Sequence, residues 1–177
     1  MNKRTEINKA VKRKIADALL LLMREKSIAD VTVTEIVNAA GVARVTFYRN
    51  YSSKENVLTT LIDDALDELR GGRDYAEIDG MTHAHVLSAF NMFYKRRSDV
   101  YDLYHSGFAT LLLERLNDFH AAVAGGMPSS SADKYSVYMY MGAMFDMAVN
   151  WIEGGCVESP ECIAEVFCKH LGIPVTD

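Results

Sequence analysis

Apolar residues recur at three- and four-residue spacing along most of the chain. Val11, Ile15, Ala18, Leu19 and Leu22 form the first such stripe, the pattern of a helix that buries one face. Lys12, Arg13, Lys14 and Asp17 fall mostly off it, and the pattern stops near Lys26. The polar and basic residues Met1 to Lys9 ahead of it read as a mobile arm. Thr32-Val33-Thr34-Glu35 then places a hydroxyl three residues before a glutamate, the arrangement of a capping box, so a helix is expected to start there. Ile36, Val37 and Ala40 give it a core face, and Gly41 stops it after barely two turns, since glycine tolerates the left-handed backbone of a sharp helix end. A second short segment, Arg44 to Asn50, follows after only Val42 and Ala43. Two short helices around a glycine turn predict a helix-turn-helix.

Ser52-Ser53-Lys54-Glu55 reads as a second capping box. It opens a helix carrying Val57, Leu58, Leu61, Ile62, Ala65, Leu66 and Leu69, expected to end at Gly71-Gly72. Residues 73–80 read as a connection. Helical patterns resume from Thr82 through Tyr94 to Lys95-Arg96-Arg97, where basic residues suit a C-terminus. Ser98 is expected to cap the next helix, with Gly107 breaking or bending it, and residues 108–123 form another. The run Gly125-Gly126-Met127-Pro128-Ser129-Ser130-Ser131 predicts a loop. A long helix over 132–153 and a last one over 160–171 complete the chain. The expected fold class is all-α: an N-terminal three-helix helix-turn-helix domain, 1–60, and a C-terminal helical domain, 61–177.

Composition changes this picture in one respect. The net charge is −5, which is unpromising for a nucleic-acid partner. Residues 1–60, however, carry 11 Lys and Arg against 6 Asp and Glu, while residues 61–177 carry 8 against 18. A basic front end on an acidic body confines attraction for polyanions to one end. The apolar runs are too short to span a membrane and nothing resembles a secretory leader, so a cytoplasmic location is expected. Cys156, Cys162 and Cys168 lie six apart, which fits neither a redox pair nor a zinc site, and they read as small packing residues. His83 and His85 do not share a helix face, and no carboxylate completes a set with His105 or His120, so neither metal nor cofactor is expected. No nucleophile motif or phosphate loop supports an enzyme.

The segments Val31-Thr32-Val33-Thr34-Glu35-Ile36, Ala39-Ala40-Gly41-Val42, Thr46-Phe47-Tyr48 and Tyr51-Ser52-Ser53-Lys54-Glu55-Asn56-Val57-Leu58 together resemble the DNA-binding domain of the tetracycline-repressor (TetR) family. The resemblance covers roughly residues 10–60. Trp151-Ile152-Glu153-Gly154-Gly155, with Ser159-Pro160-Glu161 after it, is similar to the C-terminal region of regulators related to the dihydroxyacetone-kinase activator. The first resemblance implies that Arg44, Val45 and Thr46 lie nearest base edges and that Tyr48 and Lys54 hold phosphates. Thr32, Thr34, Arg49 and Ser53 complete the implied DNA-facing set, with the N-termini of the Thr34 and Ser53 helices offering backbone N–H groups. Two positions depart from the family pattern. Ala43 stands where a capping serine is usual, and Tyr51 replaces a phenylalanine and brings a hydroxyl that needs a partner.

The implied function is a regulator that binds a palindromic DNA operator as a homodimer, a repressor released by a small-molecule effector. An activator, or an effector-independent DNA-binding protein of the same fold, are the alternatives. Aromatic and methionine stripes are usually core, but Phe93, Tyr101, Tyr104, Phe108, Met141 and Phe145 are expected to line a mainly apolar effector pocket. The helix over 132–153 is apolar on more faces than one core requires. It and the last helix are therefore expected to pair with their mates across a two-fold axis in a four-helix bundle, through Tyr140, Met147, Trp151, Ile163, Val166 and Phe167. Asp146, an acid among apolar neighbours, fits the pocket, the dimer seam or solvent equally well.

Overall fold

The structure is a computed structural model of the chain and describes residues 3–70, 82–123 and 133–175. All regular structure among these residues is helical, in the order α1 (Lys3–Met23), α2 (Val33–Ala40), α3 (Arg44–Asn50), α4 (Lys54–Arg70), α5 (His83–Lys95), α6 (Arg97–Leu103), α7 (Ala109–Val123), α8 (Asp133–Glu153) and α9 (Pro160–Leu171). A 3-10 turn, Ile28–Asp30, leads from α1 towards α2, and a π turn, Tyr104–Phe108, joins α6 to α7. The expected helix end at Gly71-Gly72, the connection over 73–80 and the loop over 125–131 lie outside the described residues. No helix among the described residues is long and apolar enough to cross a membrane.

The chain divides into two compact units, Met1–Asp64 and Ala65–Asp177, with the division falling inside α4. In the first unit, α1 packs on α2, and Ile15, Leu19, Val31, Ile36, Phe47, Val57 and Leu58 are buried almost completely. Of the stripe expected on α1, Ile15, Ala18 and Leu19 are buried and Val11 and Leu22 half-buried, while the arm expected ahead of it is not an arm. The helix already starts at Lys3, because residues 3–10 contain good helix formers, no glycine and no proline, and place Glu6 in the first turn. Tyr51 is buried, and its hydroxyl donates to the Lys12 carbonyl at 3.3 Å, so the extra oxygen has its partner. Burial, reinforced by the Asp64 carboxylate, pushes that hydroxyl up to about 12.

In the second unit, α5 packs against α9, and α8 packs against α6 and α7. Phe90 is the hub: its ring lies 6.2 Å from Trp151 and 5.9 Å from Phe167, centroid to centroid. Trp151 also stacks on Tyr94 at 5.8 Å and donates its indole N–H to the Glu158 carbonyl at 3.1 Å. Trp151 and Phe167, expected at a subunit seam, are buried within the single chain. Helix α5 starts at a capping box in which Thr82 accepts from the His85 amide and the His85 ring receives the Thr82 amide, which gives His85 a structural task. Ser98 does not cap α6: the helix already starts at Arg97. Gly107, with φ of 86°, sits in the π turn and kinks the path between α6 and α7. The last helix has the bounds expected, with Ser159 as its N-cap, Pro160 at its first position and left-handed Gly172 at its end. Of the cysteines only Cys168 is a buried packing residue; Cys162 is exposed and Cys156 half-buried.

Candidate nucleic-acid interface

The α2–α3 pair is built from local chemistry. Thr32 Oγ1 accepts from the Glu35 amide at 3.2 Å while Glu35 Oε2 accepts from the Thr32 amide at 2.9 Å, the reciprocal pair of a capping box. Lys26, just beyond α1, donates to Glu35 Oε1 at 2.6 Å. The Lys26 ammonium, then the Thr32 amide and hydroxyl, lower the Glu35 carboxyl to about 2. At the other end Gly41 is left-handed, with φ of 63°, and the Val42 amide donates to the Val37 carbonyl at 3.0 Å. That bond, with the Gly41 amide on Asn38, closes the helix.

α3 begins differently. Ala43 is its N-cap and supplies no side-chain hydrogen bond. Phe47 is its buried anchor, with its ring 5.3 Å from Tyr48 and 5.9 Å from Tyr51. On the outer face Arg44, Val45, Tyr48 and Arg49 are exposed, Val45 by 64%. Arg44 is not loose: one terminal nitrogen donates to Thr34 Oγ1 at 3.1 Å and the other to the Tyr48 hydroxyl at 3.3 Å. Its guanidinium also lies 5.6 Å from the centre of the Tyr48 ring. The structure thus brings Thr34, Arg44 and Tyr48 together across the two helices. Thr46 is half-buried, and its carbonyl accepts from Asn50 at 2.8 Å.

One expectation at the start of α4 needs correction. The second capping box is shifted by one residue. Ser53, not Ser52, accepts from the amide three residues on, that of Asn56, at 3.1 Å, and Asn56 Oδ1 reaches back to the Ser52 amide at 3.2 Å. Glu55 is outside the box; its own amide and the Ser53 hydroxyl hold its carboxyl below the usual range. The ammonium of Lys54, expected on phosphate, turns inward. It donates to the carbonyl of Ile28, to that of Ala29 at 2.9 Å and to that of Val31 at 2.8 Å. Sequence alone gave no signal for this, because the acceptors lie more than twenty positions upstream in the 3-10 turn.

Among the residues expected to line a pocket, Phe93, Met141 and Phe145 are buried and Tyr104 and Phe108 half-buried. The Tyr104 and Phe145 rings stand 6.4 Å apart. Tyr101 is 46% exposed and lies against His105. Asp146 is exposed, and its backbone carbonyl accepts from Asn150 at 2.8 Å. Among the described residues the buried carboxylates are Asp99 and Asp102 on α6, which periodicity did not single out; Arg96 stands 3.7 Å from Asp99.

Residues 15–61 match the model of the family described as bacterial regulatory proteins, tetR family. Over 47 residues the chain is 38% identical to the HTH-type transcriptional regulator EthR of Mycobacterium tuberculosis, a match covering 27% of this chain and only 22% of EthR. Two solved structures share the fold over nearly the whole length. The structure of Lin0861 from Listeria innocua superposes with a TM-score of 0.73 at 12% identity, covering 97% of this chain and 93% of that one. The dihydroxyacetone kinase operon activator DhaS does so with a TM-score of 0.61 at 16% identity, covering 91% and 93%.

Proposed function

We propose that this chain, whose N-terminal unit carries a tetR-family DNA-binding domain, is a homodimeric transcriptional regulator, a cytoplasmic repressor released from a palindromic operator by a small molecule. The observation that carries this reading is the outer face of α3, where Arg44 is braced by Thr34 and Tyr48. A short exposed helix fits the major groove, and an arginine fork matches the paired acceptors of a guanine edge. A guanidinium has five N–H donors, so two braced ones leave enough for that bidentate contact. Thr34 and Tyr48 accept from Arg44 and keep their own hydroxyl protons to donate to phosphate oxygens. The base contact and its flanking phosphate contacts are thereby held as one group.

The remaining assignments follow from what the second unit leaves uncovered. Tyr135 and Met139 on α8 and Val166 on α9 are exposed apolar side chains, with Tyr140, Met147 and Ile163 half-buried near them in sequence. A second copy covering them makes the dimer that a palindrome requires. Its two α3 helices must then stand about 34 Å apart, or a multiple of it, to enter successive major grooves. The effector is an apolar molecule held by some of Phe93, Tyr101, Tyr104, Phe108, Met141 and Phe145. It acts by favouring one spacing of the α3 helices over another.

The test is fluorescence anisotropy on a series of randomised palindromes at two salt concentrations. Arg44→Ala is expected to cost about 1–3 kcal/mol per half-site on the preferred operator and to relax preference at one base position. An equal loss on every sequence would make Arg44 a phosphate contact. Absence of any sequence preference in the unaltered protein would remove the regulator reading altogether.

A further inference from the structure

We propose that Lys54 is a positioning residue of the DNA-reading unit, one that bolts the start of α4 to the turn leading into α2 and makes no contact with phosphate. This rests on the DNA-binding reading above but departs from the role that the resemblance gives Lys54. An ammonium has three N–H donors and no acceptor. Here three carbonyls, those of Ile28, Ala29 and Val31, receive its donations, and the side chain is half-buried while making them. No N–H is left over for an anion. The acceptors are also a natural seat for a cation, since the carbonyls at the end of a helical turn carry partial negative charge.

The location gives this bolt a consequence. Val31, one of the acceptors, directly precedes Thr32, the N-cap of α2, and Lys54 is the first residue of α4. The two helices that offer backbone N–H groups to DNA phosphates in the proposed complex are thus tied together at their N-termini by one side chain. The same segment is held from a second direction by Lys26 on Glu35. If the tie is cut, the mutual placement of the two N-termini loosens, and phosphate oxygens at fixed spacing on the duplex no longer meet both.

Lys54→Arg and Lys54→Gln separate the possibilities. Arginine keeps the charge, but its planar fork cannot aim three N–H groups at three carbonyls around a point. The full-length protein is compared in operator titrations across salt, at a temperature where every variant is folded, and amide hydrogen exchange is followed over residues 27–36 without DNA. The expected result is that both variants exchange faster there and both lose roughly tenfold in operator affinity. The slope of log affinity against log salt should stay that of the unaltered protein, because no counterion-releasing contact has been removed. Rescue by Lys54→Arg, together with a slope lowered by about one unit in Lys54→Gln, would identify a phosphate contact and overturn the proposal. Faster exchange with unchanged affinity would overturn it too, by making Lys54 a stability residue only. Should the unaltered protein bind no DNA, the regulator reading falls separately. Unchanged exchange in both variants would then still refute the bolt.

Discussion

Thr32 and Glu35 close the N-terminus of α2, and Gly41 and Val42 close its C-terminus. α3, which follows within three residues, starts at Ala43 with no side chain on its first amides and keeps a single buried residue, Phe47. α2 is therefore stabilised largely by its own caps and by Ile36 and Val37 in the core, and its place in the unit is secured from outside by Lys26 and Lys54. α3 is held almost wholly by one ring. The difference separates support from contact: the helix that bears its neighbour has its polar ends satisfied within the protein. The helix that faces outward keeps N–H groups and a braced arginine unspent. A seven-residue helix is far too short to be stable alone, so its order is borrowed from Phe47 and from α2.

The sharpest way to break this comparison is at Phe47. Phe47→Ala should destabilise the first unit by about 3–5 kcal/mol, read as a shift of the urea midpoint followed by circular dichroism. Val45→Ala, on the exposed face two residues away, should stay within about 0.5 kcal/mol. Similar losses at both positions would mean that α3 is anchored more broadly than by one ring. A smaller effect narrows the contrast from the other side. Ala43→Ser supplies the missing cap and should stabilise the unit by about 1 kcal/mol; no gain in thermal midpoint would show that the first amides of α3 are already satisfied. The smallest effect concerns α2. Lys26 and Thr32 hold the Glu35 carboxyl at about 2 in the folded protein, below its ordinary 4.5. A depressed folded value means that its stabilisation is complete above the unfolded value and is lost as pH falls from about 4.5 towards 2. Glu35→Gln should make the thermal midpoint less dependent on pH across that window, modestly, because the group is exposed and screened. An unchanged acid limb would show that the Lys26–Glu35 pair contributes nothing there.

How much of this was legible beforehand followed the range of the interaction concerned. The first capping box, the left-handed Gly41 and the bounds of α9 are set by residues within a few positions of one another, and spacing alone reveals them. The missing cap at Ala43 and the need of Tyr51 for a partner were visible as departures from a pattern, although the partner, the Lys12 carbonyl, was not. A lysine at a helix start satisfies a phosphate or a set of carbonyls equally well in sequence; only the fold brings the carbonyls of residues 28–31 to Lys54. Trp151 and Phe167 follow a related logic. An apolar stripe says that a face is covered, not whether the same chain or a second copy covers it, and here Phe90 does so. The second capping box slipped by one residue because two adjacent serines offer the same chemistry, and Asn56 rather than Glu55 completes the pair.

Trp151 is also the chain's single tryptophan, and it sits in the second unit with its ring T-shaped to Phe90, its face on Tyr94 and its N–H on the Glu158 carbonyl. This makes it a spectroscopic reporter with a defined address. Selective indole excitation watches the packing of α5 against α8 and is blind to the first unit, where tyrosine is the strongest chromophore. A red-shifted emission marks wetting of that aromatic cluster, while a signal that stays constant as helicity falls marks melting of the reading head alone. The molecule thus carries an optical label that separates the unfolding of one unit from that of the other, with no dye attached.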